Sequence, residues 1–177
     1  MSKKTDIIWL KEVNSTNKYI KRHINELDNL SVVSTLSQTS GKGQGSHTWH
    51  SEPASNLLFS ILIKEPGVKA ADQKIISETT AHTLVELLGR HGINAWVKPP
   101  NDIWVGDKKI CGILIEHSLR GEHISWSIIG IGLNVNQVTF PEDLPNPTSM
   151  ALEKEGTDTR ALLSEFLDIF TCLSWLK

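Results

Sequence analysis

A chain of 177 residues, 39% hydrophobic and 21% charged, has the length for one domain with a substantial core and is too apolar for disorder. Its formal net charge of −2 provides no broad positive field for DNA or RNA, so any attraction for phosphate has to come from a local lysine cluster. No apolar run reaches membrane-spanning length and Met1 to Asp6 lead into no signal-peptide core, so a cytoplasmic protein with neither DNA nor membrane as partner is expected.

Residues 7–13 read as a strand, and Asn14-Ser15-Thr16 supply capping side chains for a helix through about Leu27, with Tyr19, Ile20, Ile24 and Leu27 at helical spacing. A short β-branched strand, 32–36, follows. The polar, glycine-rich stretch from Gln38 to Asn56 is a loop of functional length, and 57–63 form the next strand. Residues 70–90 carry Ile75, Ile76, Thr79, Leu84, Val85, Leu87 and Leu88 on one helical stripe, closed by Gly89 and Gly92. Strands at 95–97, 103–105, 109–117 and 124–135, with turns at Gly106-Asp107 and Arg120-Gly121, make an antiparallel meander. Residues 140–147 hold three prolines and read as a surface connection; Asp158 or Thr159 then caps a last amphipathic helix through Leu162, Leu163, Phe166, Leu167, Phe170 and Leu173. The expected class is α+β: a mixed, largely antiparallel sheet with helices packed on one face.

Three constellations carry chemistry. In Gly41-Lys42-Gly43-Gln44-Gly45 alternating glycines let backbone N–H groups approach an anion while Lys42 adds charge. The order is not that of a P-loop or a dinucleotide-binding turn, and glycines also serve as plain turn formers. Trp49 behind it is either an aromatic face for a purine or a structural tryptophan. The second constellation is Lys98 with Asn101 and Asp102, followed across the turn by Lys108 and Lys109. Strand alternation lets only one of that last pair point inward, and Lys109 is selected as sharing parity with Cys111 and Ile113, unless a bulge resets the pattern. Third, Gly130-Ile131-Gly132-Leu133-Asn134 ends an apolar strand with small residues and an amide able to pair with an adenine edge. Cys111 and Cys172 have no metal-ligand or redox spacing and read as reduced thiols.

In order and spacing these pieces resemble the catalytic domain of biotin protein ligases. The resemblance runs from about Ile8 to Leu173 and includes Glu12-Val13-Asn14-Ser15-Thr16-Asn17, Gln38, the Gly-Lys-Gly-Gln loop with Trp49, Ser51-Glu52-Pro53, Lys98-Pro99-Pro100-Asn101-Asp102, Lys109 with Gly112-Ile113-Leu114-Ile115-Glu116, and Gly130 to Val135. It implies a class II synthetase-like fold and an ATP-dependent ligase that forms biotinyl-5′-AMP and passes biotin to a lysine of a carboxylase's biotin carboxyl carrier protein. By the same resemblance Lys109, Asp102 and Lys42 are catalytic, with Asp102 either orienting the acceptor lysine or helping to hold Mg²⁺. Ser15, Thr16, Asn17, Gln38, Lys109 and Gly112 meet biotin. Gly41, Lys42, Gly43, Gln44, Trp49, Asn101 and Asn134 meet the nucleotide.

Against the family pattern, Lys42 stands for the usual arginine and loses its bidentate fork, Gly45-Ser46-His47 stand where arginine, glycine and a polar residue are common, and Pro99 stands where tryptophan is usual. The largest departure is at the ends, where neither a helix-turn-helix domain before the catalytic region nor a small β-barrel after the last helix is read, so a monofunctional catalytic domain over residues 1–177 is expected. A homodimer through exposed strands is compatible with the pattern. The rivals are a lipoate ligase or an octanoyl/lipoyl transferase of the same fold, and a non-catalytic biotin- or nucleotide-binding domain. The Arg-Arg-x-x-Gly-Gly-Gly segment of the lipoate ligases is missing, and Cys111 lacks the His and Lys arrangement that would activate a transferase thiolate.

Overall fold

Leu-Leu-Phe-Ser-Ile-Leu-Ile, buried on both faces, is the centre of the molecule and becomes an inner strand of a seven-stranded sheet. A computed structural model describes residues 6–173; the lysine-bearing segment before Asp6 and the last four residues lie outside the described part. The elements are β1 (Ile7–Val13), α1 (Thr16–Arg22), β2 (Val32–Gln38), β3 (Leu57–Lys64), a 3₁₀ turn (Ala70–Asp72), α2 (Lys74–Arg90), β4 (Ala95–Lys98), β5 (Asp102–Val105), β6 (Lys108–Arg120), β7 (His123–Leu133), α3 (Met150–Glu153) and α4 (Thr159–Phe170). The order across the sheet is β1-β2-β3-β7-β6-β5-β4, with β1 and β2 parallel and all other neighbours antiparallel. The mixed, largely antiparallel sheet is therefore as expected. Among the described residues no helix is long and apolar enough to cross a membrane.

Alternation along β3 divides the molecule. Leu57, Phe59, Ile61 and Ile63 face a large core shared with α2 and α4, where Phe166 packs edge-on against Phe59 with ring centroids 5.2 Å apart. Leu62 faces the other way, into a small cluster with Val33, Ile128 and Ile20 of α1. Helices on one face thus holds for α2 and α4, and α1 corrects it. Its two buried polar residues at the N-terminus and its single fully buried apolar side chain, Ile20, suit a partly polar face. Being only two turns long, α1 covers parts of β2, β3 and β7 and leaves the middle of that face open.

Other differences are local. α1 stops at Arg22, short of Leu27; Ile24 and Leu27 still pack on the small cluster, but from turns. In α2, Ile75 is 40% exposed while Thr80, Ala81 and Thr83 take the buried stripe. The helix ends with His91 as C-cap and Gly92 at φ +73°, where the N–H of Gly92 donates to Gly89 O and that of Ile93 to Leu88 O, a Schellman closure. The turn placed at Arg120-Gly121 is Gly121-Glu122, because Arg120 still pairs with His123.

Asp158 caps α4 by accepting from the backbone N–H of both Arg160 and Ala161 at 2.8 and 2.9 Å. Asp158→Ala is expected to lower stability by about 1 kcal/mol, read as a shift in the denaturation midpoint with an unchanged slope.

Candidate functional site

The open part of the α1-side face is floored by glycines. The register sets Gly130 between Ser60 and Leu114, and Gly132 beside Gly112, which in turn is opposite Asp102. Above this floor is a cavity of about 410 Å³, walled by the α1 N-terminus, the glycine loop, the β4–β5 turn and residues 140–147.

Trp49 is the reason two of those glycines carry no side chain. A Cβ on Gly132 would come within 2.5 Å of its indole, and one on Gly112 within 2.9 Å. The glycine loop folds back as a small hairpin: Gly43 N–H donates to His47 O at 2.8 Å and Trp49 N–H to Gly41 O at 3.0 Å. Only Gly45 of its three glycines uses positive φ, at 65°; Gly41 is needed because a Cβ there would stand 2.7 Å from Trp49 O. The hairpin delivers Lys42, Gly43, Gln44, His47, His50 and Trp49 to the cavity wall.

Lys109 reaches the same cavity from β6, its Nζ 2.8 Å from Asp102 Oδ1 and 5.6 Å from the Trp49 ring centre. Lys109 and not Lys108 faces the cavity, as expected, but not through the parity of Cys111 and Ile113. Cys111 and Ile113 point into the core on the opposite face, and Ile110 is buried there as well. The pairing steps from Ile103↔Cys111 to Trp104↔Lys109, leaving Ile110 as an extra residue. This β-bulge reverses the alternation and turns Lys109 onto the cavity side. Lys108 lies 3.8 Å from Glu153, and Lys98 rests with Nζ 3.6 Å over the Trp104 ring, so the three lysines do not form one clamp. Lys42 and Lys109 do share one cavity.

The cavity's inner end is polar. Gln38 Oε1 accepts from Thr16 N–H at 2.9 Å, Ser15 Oγ caps α1 by accepting from Lys18 N–H, and Asn17 Nδ2 donates to Leu114 O and to the Glu116 carboxylate. Both amide hydrogens of Asn17 are thus committed to the protein. Ser60, Glu116 and the strap 140–147 are contributors that sequence reasoning missed. Ser60 had one signal, as the lone polar residue in Leu57 to Ile63. The strap did not read as a wall, yet it is stitched to β6 by Lys109 N–H donating to Asn146 O and Thr148 N–H to Lys109 O, which brings Phe140, Leu144 and Pro147 over the cavity.

Asn101 lines the cavity but spends its Nδ2 on Ile113 O at 2.7 Å, holding the β4–β5 turn down on β6. Asn134 is 4% exposed; its Nδ2 donates to Thr148 O, while its Oδ1 is buried with no protein partner, an acceptor left for a donor from the cavity. Burial pushes the Cys111 thiol far above its usual range, with Lys109 pulling it down and Asp102 pushing it up, so it stays protonated and is no nucleophile. No three His, Cys, Asp or Glu side chains among the described residues gather to hold a metal.

Comparison with known proteins places the chain in a family. Residues 9–134 match the biotin/lipoate A/B protein ligase family. The bifunctional ligase/repressor BirA of Bacillus spizizenii is 31% identical over 122 residues, covering 67% of this chain and 37% of that protein. BirA of Salmonella typhimurium is 30% identical over 153 residues, 85% of this chain and 47% of that protein. The matched region therefore spans between about a third and a half of the length of these two relatives. Among solved structures, the biotin protein ligase from Aquifex aeolicus in complex with biotin and ATP superposes with a TM-score of 0.77 at 27% identity, over 97% of this chain and 70% of that one.

Proposed function

The chain belongs to the biotin/lipoate A/B protein ligase family, and from that premise we propose that residues 1–177 form the catalytic domain of an ATP-dependent biotin protein ligase. One observation carries the reading: a single cavity joins a polar inner end at Ser15, Thr16 and Gln38 to two lysines, Lys42 and Lys109, from distant parts of the chain. A urea ring has two N–H donors and a carbonyl acceptor and needs such a head, whereas the dithiolane ring of lipoate has nothing to offer it.

In the first step a biotin carboxylate oxygen attacks the α-phosphorus of ATP; the α–β phosphoanhydride bond breaks and pyrophosphate leaves. Two anions have to meet, so a cation between them and fixed alignment are the main contributions open to the protein. Lys109 Nζ supplies the charge between carboxylate and α-phosphate, held in place by Asp102. Lys42 supplies charge to the outer phosphates. Trp49 stacks on adenine, and Asn134 Oδ1 accepts from its amino group. In the second step the ε-amine of a carrier-protein lysine attacks the acyl carbon, forming the amide, losing a proton and releasing AMP. Asp102 is the one carboxylate lining the cavity among the described residues, which supports it as the group that orients that amine. Magnesium would enter with the nucleotide and supply charge at the phosphates, with Asp102 the cavity carboxylate that could help to hold it. The edge strands β1 and β4 suit pairing with a second copy, and an ATP-consuming reaction suits the cytoplasm.

The test is to incubate the protein with ATP, Mg²⁺ and either biotin or lipoate, and to measure pyrophosphate and acyl-adenylate. Release that depends on biotin is expected. Turnover with lipoate alone would favour the rival ligase, and binding without turnover a non-catalytic module. Trp49→Ala should raise the KM for ATP roughly 5- to 150-fold, the range of a lost base-stacking contact, with little change in biotin affinity.

A further inference from the structure

Ser60 does not line the cavity, yet it controls which way a hydroxyl there points. Fully buried in β3, its Oγ lies 2.6 Å from Thr16 Oγ1 and 2.6 Å from Asn17 Oδ1. A serine hydroxyl has one hydrogen, so only one of these oxygens receives it.

Asn17 decides which. Its amide is oriented by two groups that only accept, the Glu116 carboxylate at 3.0 Å and the Leu114 carbonyl at 3.3 Å, so Nδ2 faces them and Oδ1 faces Ser60. Glu116 is itself steadied by Lys21 Nζ at 3.4 Å. Because Oδ1 carries no hydrogen, Ser60 donates to it. Two oxygens 2.6 Å apart need a hydrogen between them, so the one on the Ser60–Thr16 line belongs to Thr16. The competing acceptor, Gln38 Oε1, is farther, at 3.3 Å, and already takes the Thr16 backbone N–H at 2.9 Å. With its hydrogen turned inward, Thr16, which lines the cavity, has only hydroxyl lone pairs to offer a ligand there.

We infer that Ser60 is a positioning residue that fixes the Thr16 hydroxyl as a hydrogen-bond acceptor for an N–H of a cyclic urea at the cavity's inner end. The inference rests on the biotin reading of the site. The relay starts outside the cavity, at Lys21 and Glu116, and passes through Asn17 and Ser60 to the Thr16 hydroxyl. Without Ser60 the Thr16 hydroxyl is free to turn its hydrogen outward, where it opposes a urea N–H.

A double-mutant cycle on the full chain tests this, with biotin Kd and ATP Kd by calorimetry and folding checked by circular dichroism. Ser60→Ala is expected to weaken biotin roughly 10- to 100-fold, the scale of a mispaired buried polar group, and to leave ATP Kd within about twofold. In a Thr16→Val background, where there is no hydroxyl to orient, Ser60→Ala should weaken biotin no further. Loss through general loosening would instead add to that of Thr16→Val and would extend to ATP, and either result overturns the inference. Ser60→Cys, which fills the site with a poor donor, should give an intermediate loss and serves if the alanine variant does not fold. Biotin binding by the unaltered chain that is undiminished in Ser60→Ala removes the role of Ser60 alone. No biotin binding by the unaltered chain removes the reading of the site, and this inference with it.

Discussion

Lys109→Ala is expected to lower biotinyl-adenylate formation by roughly 10²- to 10³-fold, the loss typical of removing one positioned group that stabilises transition-state charge, while the fold stays intact. The side chain lies 2.8 Å from Asp102, and the two are 33% and 24% exposed, so water replaces the missing cation poorly. Without Lys109 the Asp102 carboxylate, the biotin carboxylate and the triphosphate share one cavity with only Lys42 left among its lysines. What Lys109 does for the fold it does through its backbone, donating to Asn146 O and accepting from Thr148 N–H, and alanine keeps both bonds. Pyrophosphate release from the variant, measured at saturating biotin and ATP, checks the prediction. A rate within a few-fold of the unaltered chain would end the role given to Lys109. Lys109→Arg is expected to recover only part, since the planar guanidinium replaces a compact point charge.

Gly130→Ala should weaken biotin binding by roughly 10- to 100-fold, the scale of a mispaired buried polar group, and cost about 1–3 kcal/mol of stability by overpacking. The added methyl would lie 3.0 Å from Asn17 Cγ and 3.1 Å from Asn17 Nδ2, with Oδ1 closer still. Asn17 has nowhere to yield, being held by Leu114, Glu116 and Ser60 together. The strain passes to the N-terminus of α1, where Ser15 and Thr16 stand. Calorimetric titration with biotin and a thermal melt read the two effects separately. Unchanged biotin affinity would mean that the α1 N-terminus is free to shift, against the tight packing on which the site's geometry depends.

Most of the elements were legible in the sequence because each rests on a local signal. Alternating and β-branched runs gave β1, β3 and the β4–β7 meander, and Asp158 marked the start of α4. Where local signals were read too far, tertiary packing corrected them. Ile24 and Leu27 keep helical spacing but bury from turns, and Ile75 yields its place on α2 to Thr80 and Thr83 because the neighbouring sheet and α4 decide which stripe is covered.

The site divides in the same way. Motif residues such as Ser15, Thr16, Gln38, Lys42, Trp49 and Lys109 all reach one cavity, and each is visible as a residue type at a telling position. What they do there depends on partners far away in the chain. A bulge at Ile110, set by how β5 and β6 pair, turns Lys109 to the cavity; from strand alternation alone its side would follow Cys111 and Ile113 into the core. Ser60 meets Thr16 and Asn17 because α1 lies across β3, and Gly130 matters because Asn17 descends on it. The sequence by itself determined which chemical groups are present and the local periodicity of their elements. Only the tertiary structure decided which groups touch and which hydrogens point where, since hydrogen bonds and van der Waals contacts act over a few ångströms between residues distant along the chain.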